Sequence, residues 1–221
     1  MKYLLFLAFL IQHNSLNENK DYYEMMDTEF MNQVSVNQSI DVKNPDNALL
    51  DATLFHATNE QRIKYKIPPF SYNSSLYKAT LGHSEDMIEQ NFYNHINPLT
   101  NKKLQDRILG FTIEFKRMAE NIAQYDLIDT GNNSNYCFMN PTNNNDFIYR
   151  DCQTKQPLLM MTYAKFARNV VAGWMNSPHH RENILDVRYK VMACSARVSK
   201  NPFRTKNSPF ARITQDFGGD L

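Results

Sequence analysis

Glycine, cysteine and tryptophan are scarce in this chain of 221 residues, which holds six, three and one of them. With so few glycines and no Gly-x-Gly-x-x-Gly turn or Gly-Lys-Ser/Thr loop, nothing in the sequence cradles a pyrophosphate, which argues against a nucleotide cofactor. A His-Glu-x-x-His zinc helix and a Gly-x-Ser-x-Gly nucleophile elbow are also missing. No charge of one sign dominates. Lys and Arg number 24 against 23 Asp and Glu, so the surface carries no net field to draw in nucleic acid or anionic lipid. Long apolar runs are absent too, apart from Tyr3 to Ile11 behind Lys2. That run is too short to cross a bilayer as a helix and reads as the core of a signal peptide over residues 1–14, so the expected chain is secreted, with no transmembrane helix in its mature form. Gln12-His13-Asn14-Ser15 lacks a small-x-small cleavage pattern, which leaves a trimmed or buried N-terminal strand as the alternative.

The length suits one well-buried domain with extensions. Residues 15–44 are polar, rich in Asn, Asp, Glu and Met and without sustained period, and are expected as a flexible arm. The folded domain is expected over 45–221. Pro45 to Ile63 spaces apolar residues as a first amphipathic helix, stopped by Pro68-Pro69. Asn73 can cap a second helix reaching about Phe92, with Leu76, Ala79, Thr80, His83, Met87 and Ile88 on one face. A short helix follows over about Lys102 to Leu109, and Phe111 to Arg117 could supply a strand leading into Glu120. Residues 126–155 form an Asn-rich insertion, expected as a surface excursion held by Cys137 and Cys152. Leu158 to Asn176 has strong helical patterning that ends at Ser177-Pro178. Val191 to Val198 and Phe210 to Phe217 read as antiparallel strands. Helices first and strands last predict an α+β fold in which helices cover an antiparallel sheet.

In an oxidising compartment Cys137 and Cys152 can join, closing a loop worth about 3 kcal/mol in the chain-entropy model. Pairing of either with Cys194 is also open on sequence alone. Cys194 sits in the alternating strand segment and reads as a small buried hydrophobe, an inert thiol rather than a nucleophile.

The residues able to do chemistry cluster in short segments. Trp174-Met175-Asn176-Ser177-Pro178-His179-His180-Arg181-Glu182-Asn183 places two imidazoles and a guanidinium after a helix-ending Ser-Pro. Upstream lie Asn91-Phe92-Tyr93-Asn94-His95 and Ala119-Glu120-Asn121-Ile122, and before them Leu54-Phe55-His56-Ala57-Thr58-Asn59-Glu60-Gln61-Arg62. In order and spacing this set resembles the CAP superfamily of cysteine-rich secretory, antigen-five and pathogenesis-related proteins, in its compact branch common in bacteria, over roughly Asn44 to Gly218. The resemblance implies an α-β-α sandwich with a central antiparallel sheet, flanking helices and a cleft. It also implies that the cleft is lined by His95, Glu120 and His180. Ser177 stands where the family's larger members carry a second Glu, which puts a four-ligand cation site in doubt. His179 occupies a position more often held by Gly and reads as an exposed neighbour.

A neutral imidazole can ligate a borderline cation, so His95 and His180 are the candidate metal ligands and Glu120 the candidate base. No cofactor is obligatory, and a divalent cation such as zinc is the ion this pair would take. The bland readings stand beside these. A buried Glu120 could satisfy backbone amides, with His180 hydrogen-bonded to it, and His83 on an apolar face reads as a core histidine. Asn59, Arg62 and Trp174 read as structural, Arg181 and Asn183 as braces of the turn, while His13 and His56 have no partner visible in the sequence. The resemblance implies a secreted binding module for a lipid or sterol, a cation or an extracellular protein. The alternatives are a metal-assisted hydrolase of the same cleft and a structural, adhesin-like surface protein.

Overall fold

The computed structural model describes residues 22–111, 115–131, 136–139, 146–204 and 207–220. The expected signal peptide and His13 lie outside these residues, as does the middle of the strand expected over Phe111 to Arg117. Among the described residues no helix is long and apolar enough to cross a membrane.

The chain folds as an α-β-α sandwich. Helix α1 (Asp27–Met31) and a 3-10 turn (Ser35–Asn37) precede α2 (Asn47–Lys64), strand β1 (Ser71–Tyr72), α3 (Ser74–Glu89) and α4 (Leu104–Leu109). Then come β2 (Arg117–Asp126), β3 (Tyr136–Met139), β4 (Ile148–Asp151), α5 (Tyr163–Asn176), α6 (Pro178–Leu185), β5 (Val191–Val198) and β6 (Phe210–Gly219). The main sheet has the order β1-β5-β6-β2. The β5–β6 pair is antiparallel, as the sequence predicts; β2, which runs through Glu120 and not before it, pairs antiparallel with β6, and β1 adds a short parallel edge on β5.

Capping chemistry sets the helix starts. Asp46 accepts from Leu49 N, Asn73 from Leu76 N and Thr162 from Lys165 N, each satisfying a first-turn amide that the helix itself cannot. The cap at Thr162 explains why α5 begins at Tyr163 and not at Leu158. Residues just before it run extended, with Met160 bridged to Ile128 and Thr162 to Ser39.

The sheet separates two packed layers because β-strand side chains alternate between faces. Met192, Cys194 and Ala196 of β5, with Ala211, Ile213 and Phe217 of β6, pack in the main core with Leu50 and Leu54 of α2 and Phe166, Val170 and Trp174 of α5. Ala193 faces the other way, into a smaller cluster with Leu76, Ala79, Ile108 and Phe115. On that second face β6 presents polar groups: Asp216 accepts from Thr80 Oγ1 at 2.9 Å and Thr214 from Ser84 Oγ at 2.9 Å. At its end β6 passes so close to the Arg188 carbonyl that a Cβ on Gly219 would lie 2.2 Å from the oxygen, so only glycine fits there.

Residues 22–44 differ from the flexible arm expected of them. Phe30, Met31, Val36, Ile40 and Val42 are all buried in the main core. His56 on α2 pins this segment, its Nδ1 bonded to Asp27 at 2.6 Å and its Nε2 to Tyr22 O at 2.8 Å, with the ring stacked on Phe30. The apolar residues dock one by one without a helical or strand period, so a pattern search finds nothing. In the Asn-rich insertion β3 and β4 form a hairpin joined by Cys137–Cys152, while Cys194 stays free and buried.

Candidate functional site

Strand β2 lies at the edge of the main sheet, and two adjacent residues on it, pointing to opposite faces, each engage one of the histidine segments. Glu120 holds His95 on the α3–α4 face. Asn121 holds the turn of His180 on the α5–α6 face, its Nδ2 donating to His180 O at 3.2 Å and its Oδ1 accepting from Asn183 Nδ2 at 2.9 Å. Trp174 braces the same strand, its indole N–H donating to Ile122 O at 3.1 Å.

The loop carrying His95 is pinned by its own polar residues. Buried Asn97 donates to Asp86 at 2.8 Å and accepts from the amides of Leu99 and Thr100. Arg107 of α4 donates to His95 O at 2.9 Å. His95 Nδ1 meets Glu120 Oε1 at 2.7 Å, and Arg107 Nη2 meets Glu120 Oε2. Since an ionised carboxylate only accepts, His95 carries a proton on Nδ1, and in the neutral ring the lone pair then sits on Nε2. The His95 side chain is 53% exposed whereas that of Glu120 is 3% exposed. The reachable group is therefore the imidazole, and the carboxylate lies buried beneath it.

Burial works against the charge on Glu120, but the His95 hydrogen bond and the Arg107 charge outweigh burial and hold its pKa below the ordinary carboxylate value. His83 Nε2 donates to Asn94 O at 3.0 Å and lies 3.9 Å from Glu120 Oε2. Burial lowers the His83 pKa, outweighing the Glu120 charge that raises it, and Arg107 lowers it further, so this ring is neutral at neutral pH. The pKa of His180 is lowered by partial burial, then by His95 and His179, which places His180 within electrostatic reach of His95.

The remaining sequence candidates fall around this centre. Ser177 ends α5 and begins α6 without a side-chain cap bond, its carbonyl accepting from Arg181 N at 2.9 Å. Arg181 also reaches Met175 O, and His179 is exposed beside Glu182. Asn59 closes on both backbone groups of Phe70, at 2.8 and 3.1 Å. Arg62 spans from Pro68 O to Ile184 O and Asp186 O at the end of α6, stacked on the Phe70 ring. Two residues of the site escape a reading of the sequence. Arg107 carries no motif, and Asp216 sits inside a strand; the only hint is a charged residue at an inward strand position.

Among the described residues no group of three or more His, Cys, Asp or Glu side chains is placed to hold a metal ion. With both Glu120 oxygens engaged, the donor set does not fit a resident metal cofactor. Two imidazoles fit at most a labile cation taken as a ligand.

The sequence pattern of the cysteine-rich secretory protein family, CAP, matches residues 55–207. Among curated relatives, the Bacillus subtilis (strain 168) protein YkwD is 25% identical over 132 residues, 60% of this chain and 36% of the relative. The membrane protein YlbC of the same organism is 32% identical over 72 residues, 33% of this chain and 20% of the relative. This chain thus spans well under half the length of either. An extracellular protein of Bacillus anthracis containing an SCP domain superposes with a TM-score of 0.49 at 19% identity, over 79% of this chain and 41% of that one. An outer surface protein of Borrelia burgdorferi does so with a TM-score of 0.48 at 16% identity, over 76% of this chain and 90% of that one. The family match covers more than half of the chain and takes in Arg62, His95, Glu120 and His180 together; the chain belongs to the cysteine-rich secretory protein family, CAP.

Proposed function

We propose that this CAP domain is an extracellular binding module whose ligand is met by the Nε2 atom of His95, with His180 beside it. The observation that carries this reading is the engagement of Glu120: both of its oxygens are taken by His95 and Arg107, so the carboxylate orients a binding group and is not itself poised to react. Export is supported by the apolar Tyr3 to Ile11 run and by the Cys137–Cys152 bridge, which suits an oxidising compartment. The loop of His95 also exposes Tyr93, Ile96 and Leu99, which fits a ligand with an apolar part, such as a lipid or sterol. Metal-assisted hydrolysis is the lesser reading. With His95 and His180 as the ligands, and Glu120 buried and engaged by His95 and Arg107, these residues leave no free base for that reaction.

The pair of imidazoles is tested with zinc. In metal-free buffer near neutral pH, added zinc raises the melting temperature through binding to the native state, and the gain disappears in the His95→Ala, His180→Ala double variant. The gain also fades below about pH 6, as imidazoles protonate and stop ligating. His180, with its lowered pKa, keeps its lone pair further into the acid range than a free histidine does. A wild-type protein indifferent to zinc, or a gain that survives the double variant, contradicts cation binding at this pair.

A further inference from the structure

We propose that the Asp216 carboxyl is held neutral and protonated as the hydrogen-bond donor to Glu120, making Asp216 the positioning residue that fixes the carboxylate which orients His95. The register of the sheet puts the two acids together. Glu120 of β2 is the direct cross-strand partner of Asp216 of β6, and both project toward α3 and α4. Asp216 is fully buried; its Oδ2 accepts from Thr80 Oγ1 at 2.9 Å, and among the described residues its Oδ1 has no hydrogen-bond donor. A fully buried carboxylate oxygen without a donor is costly, whereas a carboxyl O–H facing an ionised carboxylate makes a strong charge-assisted bond.

Local charge leads to the same assignment. From α4, Arg107 brings a permanent cation to the centre, and Glu120 balances it. From α3, His83 is neutral and Thr80 is uncharged; from β5, the Cys194 thiol lies within electrostatic reach of Asp216 and is pushed up by burial, so it too is neutral. A second ionised carboxylate would add an uncompensated buried charge beside the first, and like carboxylates at such range settle by sharing one proton. Burial and then the Glu120 charge drive the Asp216 pKa well above its ordinary value, outweighing Arg107 and Thr80. The resulting line runs from Asp216 O–H to the Glu120 carboxylate to His95 Nδ1–H, with the Nε2 lone pair at its exposed end. This role rests on the reading of His95 Nε2 as the ligand atom, but its test needs no ligand.

Asp216→Asn keeps the shape, a donor for Glu120 and an acceptor for Thr80, so the variant should fold. The sign of its effect follows from linkage. A raised folded pKa means that native Asp216 keeps a proton which the unfolded chain releases above about pH 4, so wild-type stability from this group falls as pH rises from there through the folded pKa. Asn does not titrate. The melting temperature of Asp216→Asn should match wild type near pH 4 and exceed it by several degrees near pH 8. Infrared spectra near neutral pH should show the carbonyl stretch of a protonated carboxylic acid in the wild type and not in Asp216→Asn. Nitrogen NMR of His95 should retain the Nδ1–H form in Asp216→Asn and lose part of it in Asp216→Leu, which has no donor. Absence of the protonated-acid band in the wild type, its survival in Asp216→Asn, or an Asn variant less stable than wild type across the whole range overturns the proposal. Failure of zinc to bind would bear on the cleft alone and leave these results standing.

Discussion

Glu120→Ala is expected to lower the unfolding free energy by about 3–5 kcal/mol, because it leaves a buried guanidinium without its counter-charge. Arg107 is nearly enclosed, and its Nη2 has Glu120 as its acceptor. Its other contacts, to the carbonyls of His95 and Lys102, cannot neutralise it. Denaturant titration reads the loss directly. Truncating an exposed pair costs about 1 kcal/mol or less, so a loss that small would mean that water reaches the pair. The acid limb should report the same interaction. The pKa of Glu120 is depressed in the folded state, so its contribution is present above the ordinary carboxylate range and is lost as pH falls through the folded value. The variant should therefore show a shallower decline on acidification than the wild type does.

Arg62→Ala should cost at least about 3 kcal/mol, since it strands buried carbonyls that the guanidinium now satisfies and removes a planar group stacked on Phe70. The fork bonds Pro68 O at 2.7 Å, Ile184 O at 2.8 Å and Asp186 O at 3.1 Å, so it ties α2 to both the segment after it and the end of α6. Helix α6 carries His180, and the loss should therefore spread to the site. Hydrogen exchange would show faster opening around 184–186 and a weaker zinc response. Arg62→Lys should recover only part of the stability, because a point charge cannot serve three divergent acceptors as a fork does. A near-neutral Arg62→Ala variant would contradict the view that this residue locks α2 to the end of α6.

Much of the fold was legible in the sequence because its signals are local. Asn73 before an apolar helical stripe, Ser177-Pro178 after one, and the alternation through Val191 to Val198 each declare an element through caps or period. The segment 22–44 was not legible. Phe30, Val36 and Ile40 fill separate gaps in the core, and docking of that kind leaves no repeat to detect. The site divides along the same line. His95 and Glu120 stand in recognisable short segments, but their contact spans 25 residues and depends on α4 and β2 meeting. Arg107 and Asp216 complete the centre through tertiary placement alone: one enters from a six-residue helix, the other by strand register. Glu120 reads from sequence as a candidate base, and only the structure reveals that both of its oxygens are engaged, by His95 and Arg107.

The central claim is that a buried, ionised Glu120 fixes the exposed His95 ring with its proton on Nδ1. Nitrogen-15 NMR of the His95 imidazole at neutral to mildly alkaline pH, in metal-free wild-type protein, tests it most directly. The account predicts a dominant Nδ1–H tautomer with an unprotonated Nε2, converting toward the Nε2–H form usual for free histidine in Glu120→Ala. A wild-type ring already in the Nε2–H form, or a tautomer ratio unchanged by Glu120→Ala, would contradict it.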